Sequence, residues 1–251
     1  MTNTPNPSDL NLDFAGEQDE PSERLPANKR QSLLVTMLIL IVVAGLYGTA
    51  AFSGLSKLHL QEHQILLIIM AIVAGSLINI PLKRIVRDQP VWSHPMQIWG
   101  LDRTLPRWTR RRRETIIAVN VGGCMVPFLI ALYQLTYLIP MGSDVIWGVV
   151  LSSLFTTLVC YLAATPVQGV GILMPGYISP AAAAGSALLL VPDAAPAAAF
   201  VAGIIGPLVG ADFLHIFSLI RVPRGIGMAS IGGAGTFDGI VLSAILAAML
   251  A

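Results

Sequence analysis

Apolar residues occur in seven long stretches along the chain, separated by short polar or glycine- and proline-rich segments. A membrane-spanning helix needs about 20 mostly apolar residues, and most of the stretches are near that length. They lie at 33–52, 64–82, 116–138, 145–164, 170–191, 196–219 and 229–251. Pro175 and Pro180 interrupt the fifth stretch, and the glycine run 232–235 interrupts the seventh. The pattern predicts an all-α fold, a polytopic transmembrane helical bundle of about seven spans, with six to eight allowed.

The composition excludes an ordinary soluble domain. The chain has 251 residues, of which 55% are hydrophobic and only 12% charged, and its mean hydropathy is +0.73. A soluble domain of this length needs roughly twice that share of charged residues. Cys124 and Cys160 both fall in apolar stretches, where a buried thiol is the ordinary role, so we expect no disulfide framework.

Changes in composition divide the chain into four parts. Residues 1–30 are polar and acidic and lack an apolar core, which predicts a disordered tail in place of a signal peptide. A two-span hairpin is expected at 31–82, and a basic cytoplasmic loop rich in Trp and Arg at 83–114. The C-terminal membrane domain, 115–251, carries the glycine, proline and aspartate motifs.

The basic residues predict the orientation in the membrane, because cytoplasmic loops carry an excess of Lys and Arg. With seven spans and a cytoplasmic N-terminus, fourteen of the fifteen Lys and Arg residues fall on the inner side. Lys57 is the exception. We therefore expect a multi-pass protein of the cell inner membrane.

The basic loop also contains Trp92, Trp99 and Trp108 and ends in four consecutive arginines, Arg110, Arg111, Arg112 and Arg113. Aromatic and basic side chains together suit a segment at the headgroup level of an anionic leaflet. We expect these arginines to contact anionic headgroups. No nucleic-acid partner is expected, since nothing else in the chain supplies a recognition domain, and the oligomeric state is left open.

Glycine and proline interrupt the C-terminal apolar stretches in three places, at 165–180, 203–210 and 225–239. Broken backbone at membrane depth is tolerated where it is buried in protein or lines a cavity. Small residues spaced by four, such as Gly206 and Gly210, equally serve close helix packing. Both interpretations stay open for these glycines.

Two aspartates, Asp212 and Asp238, lie in the last two apolar stretches without a basic neighbour. An ionisable residue within a membrane span is a functional candidate. Asp212 lies about 24 Å along a helix that starts near Pro196, and Asp238 about 20 Å back from Ala251. Both depths are roughly 6–10 Å from the cytoplasmic boundary of a 30 Å core, so antiparallel neighbouring helices bring the acids level.

Other polar or small residues accompany the acids. His215 is three residues after Asp212 and so is expected on the same helix face. Asn120, Ser230 and Thr236 are candidates near the same boundary, and each could instead form an interhelical hydrogen bond. The predicted substrate- or ion-binding set is Asp212, His215, Asp238, Thr236, Asn120 and Gly235.

Three functions fit this pattern. Broken helices with buried acids are typical of transporters, which makes cation- or proton-coupled transport the first hypothesis. Alternatively, Asp212 and Asp238 are the catalytic dyad of an intramembrane aspartic peptidase, one acid protonated and the other acting as base. A scaffold in which the acids cap or bridge helices is the third. A metal site from Asp212, His215 and Asp238 is a weaker alternative, and neither metal nor cofactor is expected.

Residues from about 119 to 251 resemble the domain of unknown function 1614 family, uncharacterised prokaryotic multi-pass membrane proteins. The motifs that carry the resemblance are Val121-Gly122-Gly123-Cys124-Met125-Val126-Pro127, Pro166-Val167-Gln168-Gly169-Val170-Gly171-Ile172-Leu173-Met174-Pro175, Gly210-Ala211-Asp212-Phe213-Leu214-His215 and Ser230-Ile231-Gly232-Gly233-Ala234-Gly235-Thr236-Phe237-Asp238-Gly239. The resemblance implies a membrane fold but no particular activity.

A more distant likeness, by analogy only, is to the intramembrane aspartic peptidases. These carry one acid on one helix and a Gly-x-Gly-Asp motif on the next. In this chain Thr236 and Phe237 intervene between Gly235 and Asp238. If the segment were helical, this insertion would move the acid by roughly 200° around the helix.

Overall fold

A computed structural model describes residues 29–93, 107–167, 171–216, 228–235 and 238–251. It consists of two compact units, Met1–Gly45 and Leu46–Ala251. The described residues of the first unit belong to a single helix, α1. Apart from the first part of α1, the features discussed below lie in the second unit.

Helices dominate the described residues. The α-helices are α1 (Lys29–Ser56), α2 (Glu62–Gly75), α3 (Val126–Leu138), α4 (Ser143–Ala163), α5 (Ile178–Leu190), α6 (Ala195–Ile205) and α7 (Gly239–Leu250). A π-helical segment, π1 (Val121–Met125), leads into α3, and a second, π2 (Gly206–Phe213), continues α6. Each of the seven apolar stretches thus contains one helix.

Four continuous helical stretches are long and apolar enough to cross a membrane: Ser32–Ser56, Val121–Met141, Ser143–Ala163 and Pro192–Ile216. The helices α2, α5 and α7 are apolar but have only 14, 13 and 12 residues. Such helices are about 18–21 Å long, less than the roughly 30 Å hydrocarbon core. The mainly helical fold is confirmed, and the four long apolar helices are compatible with a membrane protein, while helix length alone does not establish seven complete spans.

The core is built around α6, which is unusually rich in alanine. Ala197, Ala198 and Ala199 are fully or almost fully buried, as is Phe200. Small side chains let helix backbones approach closely in a membrane, where packing replaces hydrophobic burial as the attraction between helices. In line with this, a Cβ on Gly203 of α6 would lie 2.9 Å from the Ala244 Cα of α7.

The turn after α1 is joined by hydrogen bonds to two other helices at one end of the second unit. Lys57 Nζ donates to the Met249 carbonyl oxygen over 2.7 Å, and Gln134 Nε2 donates to the Leu58 carbonyl oxygen over 3.2 Å. The turn after α1 therefore meets the C-terminal ends of α3 and α7. The contact also gives Lys57, the exception in the predicted charge distribution, a local role, since a cation stabilises the last carbonyls of a helix.

Strands lie near the other end, and the sequence pattern did not predict them. The strands β1 (Asn79–Ser93) and β2 (Arg107–Asn120) pair antiparallel. They cover both ends of the segment expected to be a basic loop, 83–114, and extend into the predicted second and third spans. A further strand, β5 (Met228–Ile231), pairs in parallel with residues 116–119 of β2. The apolar run from residue 116 thus begins as a strand, and helical structure starts only at Val121. Its β-branched residues Ile116, Ile117 and Val119 suit a strand.

A second, small hairpin follows α4. Its strands are β3 (Thr165–Val167) and β4 (Gly171–Leu173), which pair antiparallel. The strand β4 lies at the beginning of the predicted fifth span, 170–191, and α5 begins only at Ile178. The hairpin lies within the first glycine- and proline-rich interruption, 165–180.

Candidate functional site

A cavity of about 220 Å³ lies at the end of the second unit where the interrupted segments meet. Its lining comes from all three interruptions predicted from the sequence. The lining residues are Ile172, Leu173, Met174, Gly176, Pro207, Ala211, Asp212, Ala234, Asp238, Gly239 and Ile240. Asp212 and Asp238 are the acidic members, and they therefore face the same space.

Asp238 is the N-cap residue of α7. Its backbone is extended, with φ −68° and ψ 147°, and its Oδ1 accepts a hydrogen bond from the Ile240 backbone N–H over 3.0 Å. Its Oδ2 accepts another from the Ala234 N–H over 3.2 Å. Aspartate is among the best N-cap residues, and the positive end of the helix dipole favours its charge. The acid is thus rigidly oriented by two backbone donors.

Asp212 lies on π2, on the last turns of the long helical stretch Pro192–Ile216. π-Helical turns are rare and are frequent at functional sites. Two faces of π2 have different partners. A Cβ on Gly206 would overlap the Thr156 side chain of α4, and one on Gly210 would overlap the Thr157 carbonyl oxygen. Pro207 and Ala211 line the cavity together with Asp212.

The glycines of π2 therefore serve close helix packing, one of the two interpretations left open by the sequence. Asp212 lines the cavity, while Gly206 and Gly210 pack against α4. The backbone amide of Gly232 interacts with the Asp212 carboxylate.

The turn Gly232–Gly235 holds donors toward both acids. Gly232 has φ +69° and Gly235 has φ +62°, a left-handed conformation that strongly favours glycine. The turn is closed by hydrogen bonds from the Gly233 N–H to the Ser230 carbonyl oxygen (3.1 Å) and from the Gly235 N–H to the Gly232 carbonyl oxygen (3.0 Å). It directly follows β5, so the sheet fixes where the turn begins.

Backbone contacts between glycines lock this turn in place. A Cβ on Gly123 of π1 would overlap the Gly232 carbonyl oxygen, and one on Gly235 would overlap the Cβ of Ser76. The same holds on the other side of π1, where a Cβ on Gly122 would overlap the Ile72 carbonyl oxygen. The end of α2, π1 and the turn are thus packed backbone against backbone.

Asn120 supports this arrangement from outside the cavity. The side chain is fully buried. Its Oδ1 accepts from the Gly123 N–H over 2.7 Å, capping π1, and its Nδ2 donates to the Ser76 carbonyl oxygen over 2.7 Å. Nδ2 also reaches Asn79 Oδ1 at 3.2 Å, which in turn accepts from Ser230 Oγ at 2.7 Å. The structure gives Asn120 and Ser230 hydrogen bonds between elements.

His215 is not among the residues that line the cavity. Its Nδ1 lies 3.1 Å from both the Gly210 and Ala211 carbonyl oxygens, and its ring packs on Tyr161 with centroids 4.9 Å apart. The wide turns of π2 change the helical spacing, so the expected shared face with Asp212 does not put His215 beside the cavity. Among the described residues, no group of three His, Cys, Asp or Glu side chains is placed to hold a metal ion.

The remaining predicted site residues have different positions. Gly235 lies in the turn beside the cavity, and its carbonyl oxygen accepts from the Asp238 N–H over 3.1 Å. Thr236 lies outside the described residues, as do the side chains of Arg110–Arg113.

Sequence reasoning missed the apolar wall of the cavity. Ile172, Leu173 and Met174 come from β4 and the residues after it. The proline and glycine residues predicted broken backbone in this segment but not a strand. It also missed the Ala234 N–H, because a backbone donor has no side-chain signature.

The arrangement has clear chemical capabilities. Two carboxyl groups that share a space of this size can hold water between them, since one water occupies about 30 Å³ of liquid volume. They can also transfer a proton to and from a bound molecule, or bind a cation. The apolar wall opposite them can accommodate a hydrophobic group.

Comparison with known proteins agrees with the resemblance seen in the motifs. The chain matches no curated protein and no solved structure. Residues 73–250 match the model of the family described as "Protein of unknown function (DUF1614)". That match covers the cavity, both acids and the glycine turn, and the protein belongs to this family.

Proposed function

We propose that the protein is an intramembrane aspartic hydrolase that cleaves a peptide bond within a membrane-embedded polypeptide. The observation that supports this most directly is the shared cavity, to which π2 contributes Asp212 and the start of α7 contributes Asp238. Two acids from different elements facing one space of molecular size is the arrangement that a carboxyl dyad requires.

The spacing after the glycine run does not oppose this function. The 200° displacement applies only if the run is helical. Residues 232–234 form a turn, and both Gly232 and Gly235 have positive φ angles. Asp238 is oriented by the hydrogen bonds that its side chain accepts as N-cap of α7, and it lines the cavity with Asp212.

The proposed reaction consumes one water. One carboxylate accepts a proton from a water in the cavity, and the water oxygen attacks the peptide carbonyl carbon. The other carboxyl group, protonated because two close carboxyl groups cannot both ionise in low dielectric, donates its proton to the carbonyl oxygen. The carboxyl group that took the proton from water then protonates the nitrogen, one hydroxyl group of the tetrahedral intermediate returns its proton to the other carboxylate, and the C–N bond breaks. An acid fragment and an amine fragment leave, and the dyad again holds one proton.

The proposed setting is the cell inner membrane. The seven apolar helices cross or enter the bilayer with a cytoplasmic N-terminus, following the distribution of basic residues. The cavity then opens near the cytoplasmic boundary, and Arg110–Arg113 contact anionic headgroups.

Cation- or proton-coupled transport is the second candidate. It is favoured by the interruption of helical structure at both acids, by π2 at Asp212 and by the helix start at Asp238, which is a recurring design of transporter sites. Transport also needs a state in which the acids are open to the opposite face, whereas hydrolysis needs only the cavity.

Purified protein reconstituted in liposomes distinguishes the two candidate functions. Wild-type protein in liposomes is incubated with a library of apolar membrane peptides, and new fragments are measured by mass spectrometry. Asp212→Asn and Asp238→Asn are each expected to lower cleavage by at least about 100-fold. Asp193→Asn is the matched control, because Asp193 is exposed and begins the opposite end of the same helical stretch.

A proton or cation flux that depends on Asp212 and Asp238, with no fragments from any peptide, would overturn hydrolysis in favour of transport. Unchanged folding of both Asn variants with neither activity in wild type would favour the scaffold.

A further inference from the structure

The small β3–β4 hairpin has one strand edge that faces away from its partner. Thr165 pairs with Leu173, Pro166 with Ile172, and Val167 with Gly171. Residues in an antiparallel pair alternate between hydrogen-bonded and non-hydrogen-bonded positions. Pro166 has no N–H, so the hydrogen-bonded positions fall to its neighbours Thr165 and Val167.

Ile172 is therefore in a non-hydrogen-bonded position, where the N–H and C=O groups of a strand point away from the partner strand. No other strand of the described part of the chain pairs with β4. An edge with an unpaired N–H and C=O is a template for another extended chain.

This edge adjoins the acids. Ile172 and Leu173 line the same cavity as Asp212 and Asp238. Gly176, which also lines the cavity, has nothing within 4 Å of the position that a Cβ would occupy, so the cavity is open at this residue. A chain that pairs with β4 would pass along the apolar wall and present its backbone to the two carboxyl groups.

We propose that β4 docks the substrate as an added strand, with the backbone N–H and C=O of Ile172 holding an extended peptide segment beside the acids. The proposal rests on the proposed hydrolase function and specifies its substrate class: a peptide segment unwound from helix into extended form, with an apolar side chain against Leu173 and Met174. Main-chain pairing supplies affinity, and the pocket for alternate side chains supplies selectivity.

An extended substrate is also what the chemistry requires. In an α-helix the carbonyl groups are engaged in hydrogen bonds and surrounded by side chains. A strand added to β4 exposes one carbonyl at every second residue to the same side. Pairing with β4 therefore both unwinds the segment and orients its carbonyl.

Backbone methylation of a peptide substrate tests the pairing in the unaltered protein. N-methyl groups are placed at one position after another in an apolar membrane peptide that binds the wild-type protein, and binding to that protein is measured by fluorescence anisotropy before any cleavage has progressed. Added-strand pairing predicts losses of about tenfold at alternate positions only, because every second N–H faces β4. Losses without this alternation would overturn the docking proposal.

A protein variant gives a second test. Ile172→Pro removes the outward N–H, and proline is tolerated on edge strands when its nitrogen faces away from the pairing. Ile172→Val is the matched control, since it keeps the N–H and the β-branched shape. We expect a KM about tenfold higher for Ile172→Pro, with kcat within about twofold. Equal KM values for the two variants would contradict the proposal.

The outcomes distinguish the two proposals. If wild-type protein cleaves peptides but the effect of N-methylation on binding does not alternate along the peptide, the hydrolase proposal stands and the docking proposal is overturned. If N-methylation weakens binding at alternate positions but wild-type protein cleaves no peptide, the docking proposal stands and the hydrolase proposal is overturned. Displacement of the peptide by phospholipid acyl chains, independent of backbone methylation, would show that the cavity takes lipid and overturn the docking proposal.

Discussion

Asp238 combines a structural and a proposed chemical role, and substitution can separate them. As N-cap of α7 it accepts one hydrogen bond from Ile240, and it accepts a second from Ala234. Losing an N-cap costs about 1 kcal/mol, and losing a further hydrogen bond costs about 1 kcal/mol. Asp238→Ala should therefore lower the free energy of unfolding by about 2 kcal/mol.

Asp238→Asn should behave differently. Asparagine is as good an N-cap as aspartate, and its one carbonyl oxygen can accept from only one of the two amides. The expected loss is then about 1 kcal/mol. It cannot exchange a proton with substrate, however, so hydrolysis should fall by at least about 100-fold.

The measurements are unfolding by denaturant in detergent micelles and peptide cleavage in liposomes. Asp193→Asn supplies the baseline for the same chemical change at an exposed site, with an expected effect within about 0.5 kcal/mol. If Asp238→Asn retained a large part of the wild-type cleavage rate, its role would be that of a cap and the dyad would be refuted. Equal destabilisation by Ala and Asn would instead refute the capping estimate.

Four further outcomes follow from the structure. Gly235→Ala should destabilise by at least about 1–2 kcal/mol because of its positive φ and the overlap with Ser76, whereas Gly185→Ala, with open space around it, should be neutral or stabilising in the same unfolding assay. Asn120→Asp should lower stability by about 1–3 kcal/mol, since its second oxygen would face the Ser76 carbonyl in place of donating to it; unchanged stability would contradict the role assigned to Asn120. His215→Phe keeps the ring packing on Tyr161 and should leave cleavage within about twofold, so a large loss of activity would return His215 to the site. Replacing Arg110–Arg113 by Gln should reduce binding to vesicles containing anionic lipid by about 1 kcal/mol per residue at low salt, as measured by co-sedimentation against neutral vesicles; equal binding of the two proteins to anionic vesicles would contradict the headgroup contact.

Much of the architecture was predictable because an apolar run of about 20 residues is a strong indication of a helix. In the described part of the chain an α-helix occurs in each of the seven apolar stretches, and the three interruptions were marked by glycine and proline. The strands did not follow, because β5 pairs with a segment of β2 more than a hundred residues earlier, and such pairing has no local signature. Part of β2 was instead assigned to the third span because Ile116, Ile117 and Val119 continue the apolar run.

The two acids were predicted because acidic residues are rare in apolar sequence. The helical rise per residue predicted that both lie at a similar depth in the membrane. The position of His215 relative to the cavity depends on π2, whose wide turns change the number of residues per turn, and the three-residue spacing from Asp212 does not show this. The role of the turn in presenting the Gly232 and Ala234 amides could not be predicted, since it depends on backbone conformation.

The backbone contact between Gly123 and Gly232 has an evolutionary consequence. These residues are more than a hundred positions apart, yet neither can gain a side chain without displacing the other. The two glycine motifs therefore form one mutational unit. Across relatives, a larger residue at one position should appear only together with a local change at the other, and a chimaera that exchanges one motif alone between distant homologues should fold less well than one that exchanges both.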